Sequence, residues 1–364
     1  MTDILSYRFG SLNMIPDVTP NGVFYLPPTG WLTSFYNPPN IKNLNSKKIG
    51  TKFQKEDILF GKLRPYLKNW YFAKENGIAV GDFWVLRAKK ISVFVYYLIQ
   101  TEKFYSIANL SSGSKMPRSD WNLVSNSRFN FPENTIESIK IGNLILQFDK
   151  LITLQQRKLE ILIKLKRSFL TKSMVNSLDK NPELYFNSAS VKWLKQKLSD
   201  LTIKEFKGNT KLNDTKPGKT EYLDAERLNG NVPLFIDKPI NTLKSDILIL
   251  WDGSKAGSVY YGFEGSLGST LKAIRLNPKL VNSFFVYQQL KSKQDVIFNK
   301  YRTPNIPHVI KNFTKVYPIY FPSMAVQNKI ARFLGNLDTL IEIQQKSIKD
   351  HKVIKKYLLQ KLFI

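Results

Sequence analysis

The chain contains no cysteine. Disulfide frameworks, thiolate nucleophiles and cysteine-ligated zinc or iron–sulfur sites are therefore excluded. Histidine is almost as scarce: His308 and His351 lie far apart, so no His-based metal cluster is expected. Acidic residues are few, 28 Asp and Glu against 55 Lys and Arg, and the formal charge is +27. A cationic field of that size steers and holds phosphates, so the expected partner is a polyanion, nucleic acid before membrane. No window approaches 18 consecutive apolar residues, the richest being 91–99, which excludes a transmembrane helix. The opening Met1-Thr2-Asp3-Ile4 carries no basic segment followed by an apolar one. No secretory leader is expected, and a cytoplasmic location is the expectation.

Catalytic signatures are missing as well. Gly265-Ser266-Leu267-Gly268-Ser269-Thr270 lacks the spacing and the lysine of a phosphate loop and is read as turns between strands. Asn37-Pro38-Pro39-Asn40 resembles the Asn-Pro-Pro-aromatic signature of amino-methyltransferases, whose aromatic residue stacks on a flipped base. Here the aromatic position is Asn40 and no glycine-rich adenosylmethionine loop precedes it, so a plain loop is the better reading. No pair of carboxylates falls in a nuclease-like arrangement. No catalytic residue, metal ligand or cofactor is assigned to the chain.

What is present is a repeat. Phe131-Pro132, Ile141 and the run Asp149 to Arg157 match Phe321-Pro322, Ile330 and the run Asp338 to Lys346. The two aspartates are 189 residues apart and the two Phe-Pro pairs 190. The same offset relates Asp57-Ile58-Leu59 to Asp246-Ile247-Leu248, and Met116-Pro117 to Ile306-Pro307. With 43% apolar residues in 364, two or three cored domains are affordable, and the repeat says they come as two copies of one unit.

Each copy ends in a long helix. Ile141, Ile145, Phe148, Ile152, Gln155, Leu159 and Leu162 step alternately by four and three, as do Ile330, Leu334, Leu337, Ile341, Gln344 and Ile348. That is a heptad seam, and a helix of about 40 residues with one narrow seam needs a partner helix. The repeat supplies it. Gln155 and Gln344 recur at equivalent places in the seam, where a buried polar residue sets register at some cost in stability. The flanks are rich in lysine: Lys158, Lys164, Lys166 and Lys172, then Lys346, Lys349, Lys352, Lys355 and Lys356.

The regions before the helices are mixed. The stretches 80–88 and 247–251 read as strands, 93–105 and 281–291 as short helices, and 179–182 as a linker. They carry basic and aromatic loops at matching places. The first copy has Lys62, Arg64, Tyr66 and Lys68 after Asp57-Ile58-Leu59, and later Ser112, Lys115 and Arg118. The second has Ser254, Lys255, Ser258 and Tyr260 after Asp246-Ile247-Leu248, and later Lys300, Arg302, Thr303 and His308. Arg and Lys reach phosphates and guanine acceptors, Ser and Thr reach base edges, and glycine lets backbone approach closely. A solvated surface accounts for any one of them. Recurrence in both copies favours DNA contact.

The duplicated unit resembles the specificity subunit of type I restriction–modification enzymes. The residues that carry the resemblance are Asp57-Ile58-Leu59 with Gly61 to Lys68, Asp246 to Ser258, the later Ser112 to Arg118 and Arg302 to His308, the Phe-Pro starts and the marked helices. The resemblance implies an α+β fold of two mixed α/β target recognition domains joined by two long helices. Those helices would form an antiparallel coiled coil with pseudo-two-fold symmetry. The corresponding boundaries are 1–132 and 181–320 for the recognition domains, and 133–180 and 321–364 for the helices. It implies that each domain reads one half of a bipartite, interrupted DNA site, and that the helices set the gap and dock modification subunits, two per chain. The subunit would be non-catalytic, adenosylmethionine would bind the modification partner, and a restriction subunit could join. Tyr301-Arg302-Thr303 departs from the usual glycine-type turn. Two alternatives stand: a nuclease or methyltransferase with an unrecognised active site, and a sequence-indifferent DNA-binding protein.

Overall fold

The structure is a computed structural model that describes residues 16–17, 50–89, 91–110, 116–175, 182, 192–303 and 307–363. Asn37 to Asn40, Ser112, Lys115 and most of the 179–182 linker lie outside the described residues. The chain divides into two compact units, 1–158 with 344–364, and 159–343. Each long helix is shared between them.

In the first unit, β1 (Pro16–Asp17) pairs with β2 (Gly50–Phe53). The strand β3 (Ile58–Gly61) lies between β4 (Trp70–Phe72) and β6 (Phe83–Leu86), while β5 (Gly77–Ala79) pairs with β2. All four residues of β3 are buried because the strand is central and covered on both faces. Ile58 and Phe60 face one cluster, with Trp84, Leu86 and the helices, and Leu59 faces the other, with Phe53 and Val85. The strand period of two divides the run between two cores.

Short helices follow: α1 (Ser92–Leu98), α2 (Glu102–Ala108) and α3 (Trp121–Asn126). The single helix expected over 93–105 is broken by Thr101, whose Oγ1 accepts the Phe104 N–H and starts a new helix. The strand expected over 80–88 is shorter, because Gly81 turns the chain at φ 100° just before β6.

The long helix α4 (Thr135–Ser173) then leads into the second unit. There β7 (Leu194–Lys197) and β8 (Thr202–Lys207) precede β9 (Pro217–Leu223), α5 (Ala225–Leu228) and β10 (Phe235–Ile236). The central strand is β11 (Ile247–Leu250), followed by β12 (Val259–Tyr260), β13 (Ser266–Leu267) and β14 (Leu271–Leu276). Its sheet has the order β12-β11-β14-β8, and again one face of β11 (Ile247, Ile249) and the other (Leu248, Leu250) enter different cores. Residues 265–270 are not turns alone: Ser266 and Leu267 are buried and pair in parallel with β9, which satisfies their backbone. The unit closes with α6 (Ser283–Ser292), α7 (Gln294–Lys300), α8 (Phe313–Val316) and β15 (Pro318–Phe321), the last paired with β7, before the second long helix, α9 (Met324–Leu362). Phe321 thus ends a strand and the helix begins three residues later.

One ion pair repeats at the base of each central sheet. Arg87 binds Asp57 in two places, Nε to Oδ1 at 2.8 Å and Nη2 to Oδ2 at 2.7 Å. Arg275 binds Asp246 in the same two ways, at 2.8 Å each. Both carboxylates are buried, and each also accepts the N–H of the residue three before it, Gln54 or Leu243. The pair fixes the start of the central strand against the strand beside it.

Within each unit α4 and α9 run antiparallel. In the first unit Asp149 meets Lys355, and Gln344 Nε2 donates to the Gln155 carbonyl at 3.2 Å. In the second, Lys166 Nζ meets Asp338, and the Phe169 ring packs tilted against Phe333 with ring centres 4.3 Å apart. Ile145 and Ile152 on α4, and Ile330, Leu334, Leu337, Gln344 and Ile348 on α9, are buried; Phe148, Leu159 and Ile341 are half-buried. The spacing of four and three continues beyond Ile348 through His351 and Lys355.

The two ion pairs are crossed. Asp149 and Asp338 are repeat equivalents, and so are Lys166 and Lys355, so each aspartate takes the lysine of the other copy's helix. Asp149 Oδ1 lies 2.7 Å from Lys355 Nζ, and Oδ2 accepts the Tyr97 hydroxyl at 2.8 Å. Burial raises the Asp149 pKa even against the pull of Lys355, and burial lowers that of Lys355 even beside Asp149. Desolvation therefore opposes the pair on both sides, as it does for buried ion pairs generally. Asp149→Asn should cost about 3–5 kcal/mol in urea unfolding, because the buried Lys355 ammonium loses the carboxylate that balances its charge. Asp149→Leu with Lys355→Met should recover most of that loss; a double variant as unstable as the single would contradict the account.

Candidate nucleic-acid interface

The basic loops of the first unit converge through backbone pairing. The chain leaves β3 at Gly61, makes one tight turn over Pro65–Leu67 and returns as β4, and the Gly61 N–H closes the loop on the Asn69 carbonyl at 2.7 Å. A second segment crosses this loop. The Arg64 N–H donates to the Pro117 carbonyl and the Ser119 N–H to the Lys62 carbonyl, each at 2.8 Å, so Leu63 and Arg118 pair as a bridge. Lys62, Arg64 and Arg118 thereby sit on one backbone crossing although more than 50 residues separate Arg118 from the other two in sequence.

Asp82 sits among these cations. Arg118 Nη2 lies 3.1 Å from its Oδ2 and Lys62 Nζ 3.9 Å from its Oδ1. The Arg118 side chain is 60% accessible, while Lys62 and Asp82 are half-buried. Tyr66 is exposed at the loop tip, and Lys68 Nζ lies 4.7 Å above the Tyr105 ring.

The second unit repeats the crossing at equivalent residues. The Gly253 N–H donates to the Pro307 carbonyl at 3.0 Å and the Val309 N–H to the Trp251 carbonyl at 2.9 Å, and Asp252 pairs with His308 as a bridge. Leu250 N–H closes the loop on the Ser258 carbonyl at 2.9 Å. Ser254, Lys255 and Lys300 are exposed. Arg302 Nη1 donates to the Ser254 carbonyl at 3.1 Å, and its guanidinium lies 5.5 Å from the Phe298 ring centre. Thr303 Oγ1 lies 3.0 Å from His308 Nδ1, and both side chains are half-buried.

Two candidates are placed inside the fold. Ser258 and Tyr260 are buried on and beside β12; Ser258 Oγ donates to the Lys255 carbonyl at 2.8 Å and the Tyr260 hydroxyl to Asn229 Oδ1 at 3.2 Å. They support the loop from below, and as positioned they do not reach a ligand on its surface. The strand period explains the placement: β12 is covered on both faces, so neither residue of it points outward.

Sequence reasoning missed the acidic side of each site. Asp82 holds Lys62 and Arg118, and Asp252 Oδ2 takes Lys207 Nζ at 2.6 Å. Lys272 was missed too; its Nζ lies 4.0 Å above the Trp251 ring. None of these stands in a run of like residues, so only the crossing of strands brings them together. Among the described residues no three His, Asp or Glu side chains gather as a metal site.

Residues 178–350 match the model of the type I restriction modification DNA specificity domain. The specificity subunit of the type I restriction enzyme MjaVIII of Methanocaldococcus jannaschii is 32% identical over 165 residues, 44% of this chain. The match spans 39% of that relative's own length. The crystal structure of a type I restriction–modification system S subunit from M. genitalium superposes over 100% of this chain and 97% of its own, with a TM-score of 0.66 at 18% identity. A structure concerned with complex assembly and conformational transition of the type I R-M system covers 88% of this chain and 85% of its own, at 17% identity and a TM-score of 0.54. At those identities the superpositions speak for the fold, which is α+β. In sequence through its second repeat the chain is similar to the type I restriction–modification specificity subunits, and over its length it shares the fold of the S subunit from M. genitalium.

Proposed function

We propose that this chain is the DNA sequence-specificity subunit of a type I restriction–modification complex. Each unit reads one half of a bipartite site, and the length of helix running from one unit into the other sets the gap between halves. The observation that carries the reading is the repeated crossing of two basic loops, Lys62–Lys68 with Arg118 and Ser254–Lys255 with Arg302 and His308, on a duplicated scaffold. A single binding module has no need of the second crossing. Two copies of one reading head fit a site with two halves.

The subunit is proposed to act without catalysis of its own, in the cytoplasm, with adenosylmethionine bound by modification subunits, two per chain. A restriction subunit is a further possible member of the assembly. The exposed apolar residues of the long helices suit docking: Leu154 and Ile161 on α4, and Leu340 and Ile343 on α9, are 65%, 57%, 47% and 59% accessible. Such residues are outside the seam and are not needed to hold it.

The direct experiment is methylome sequencing of the source organism with and without this gene. Loss of one bipartite methylated motif is expected; an unchanged methylome would contradict the reading. Nuclease activity or adenosylmethionine binding by the purified chain would favour the enzymatic alternative instead. Arg118→Ala should cost roughly 1–3 kcal/mol of DNA binding and relax one position if the guanidinium reads a base, or weaken all sequences with a shallower salt dependence if it holds phosphate. Asp82→Asn should act oppositely. It removes the charge that engages Lys62 and Arg118, so binding to mixed-sequence DNA should strengthen, while stability changes by about 1 kcal/mol because the pairs lie at the surface and neither is fully buried. Ile343→Lys should abolish co-purification with modification subunits and leave the melting temperature unchanged. Retained co-purification would remove this face from the docking surface.

A further inference from the structure

The two loops differ where their backbones agree. Arg64 and Lys68 hold left-handed conformations, at φ 51° and 56°. Their repeat equivalents are Gly253 and Gly257, at φ 106° and 95°. Only glycine enters positive φ without steric cost, and residue 64 is restricted further because Pro65 follows it. The second unit thus shows the inexpensive solution to this loop, and the first unit departs from it.

Crowding does not explain the difference at the first position. A Cβ built on Gly253 meets nothing within 4 Å, so glycine stands there for its backbone and not for space. At Gly257 a Cβ would come within 2.9 Å of the Phe298 ring, so that position has a packing reason as well. Lys68 has an internal reason of its own in the Tyr105 ring. Arg64 has none. Among the described residues its side chain makes no hydrogen bond or ion pair, while the nearest acid, Asp82, is already engaged by Lys62 and Arg118. The fold holds a guanidinium in a strained position on a loop of like charge, without a counter-ion among the described residues. Strain of this kind persists where the side chain has work to do outside the fold.

We propose that Arg64 is a DNA-contacting residue with no counterpart in the second unit, so that the two halves of the site are read unequally at this point. The inference rests on the reading of the chain as a DNA-specificity subunit. Glycine at 64 keeps the loop, because the second unit already uses it there.

The test compares wild type, Arg64→Gly and Arg64→Ala as full chains assembled with their modification subunits. The probes are a duplex carrying the motif methylated in the host and a mixed-sequence duplex of the same length. Arg64→Gly should melt at a higher temperature than wild type yet bind the motif duplex at least tenfold more weakly. Arg64→Ala should lose the same affinity without that gain in melting temperature. Relaxation at one position of one half-site identifies a base contact; an equal loss on both duplexes with a shallower salt dependence identifies a phosphate contact. If wild type prefers the motif duplex and Arg64→Gly binds as tightly as wild type across salt concentrations, the assignment of Arg64 is overturned. If wild type shows no preference between the duplexes, the specificity reading itself fails.

Discussion

The antiparallel seam between α4 and α9 is the constraint on which the rest of the structure depends. Each unit is completed by pieces of both helices, so a chain that did not pair them would leave two cores open. Ile145 of α4 and Phe363 beyond α9 lie in the same cluster as Phe94 of α1, and Phe169 of α4 lies with Ile330 and Leu334 in the corresponding cluster of the second unit. Apolar seam residues supply the attraction but tolerate slippage by a heptad. The crossed pairs Asp149–Lys355 and Asp338–Lys166, with Gln155 against Gln344, do not tolerate it, since a shift would leave a charge buried without its partner. The seam thus gives up some stability for a single register.

That register fixes what stands on it. Tyr97 of α1 donates to Asp149, and Gln288 of α6 donates through Nε2 to Asp338 at 2.7 Å, so in each unit the same aspartate that pairs the helices also holds the neighbouring domain helix. From there the order passes outward. The short helices pack on one face of the central sheet, the Asp57–Arg87 or Asp246–Arg275 pair sets the start of the central strand, and the strand delivers its loop to the crossing with the second basic segment. The loop tips, such as the exposed Tyr66, are less constrained by core packing than the strands that carry them.

Much of this was legible in the sequence because it is written twice. The offset of 189 residues located the helices and both basic loops, the stretch 247–251 read as the second unit's central strand while 58–61 was matched to it only as a repeat, and the heptad steps placed the seam through Gln155 and Gln344. What stayed hidden depends on pairing between distant residues. Arg87 and Arg275 are single arginines with no local signature, and nothing in a one-dimensional reading joins them to aspartates about 30 residues earlier. Lys166 and Lys355 read as solvated flanks of a helix; the antiparallel partner converts them into seam residues. Ser258 and Tyr260 read as loop residues because glycines precede them, yet Tyr260 lies on a two-residue buried strand and Ser258 turns back onto the Lys255 carbonyl beside it. The backbone strain at Arg64 could not be read at all without the second copy folded beside it for comparison.

The central claim is that two copies of one scaffold read two half-sites independently. The most direct measurement is the methylated motif of a chimera in which residues 1–130 are replaced by the equivalent region of a specificity subunit with a known, different motif. The account predicts that one half-site changes to that of the donor while the other half-site and the spacer stay the same. An active chimera whose motif changed in both halves would contradict it.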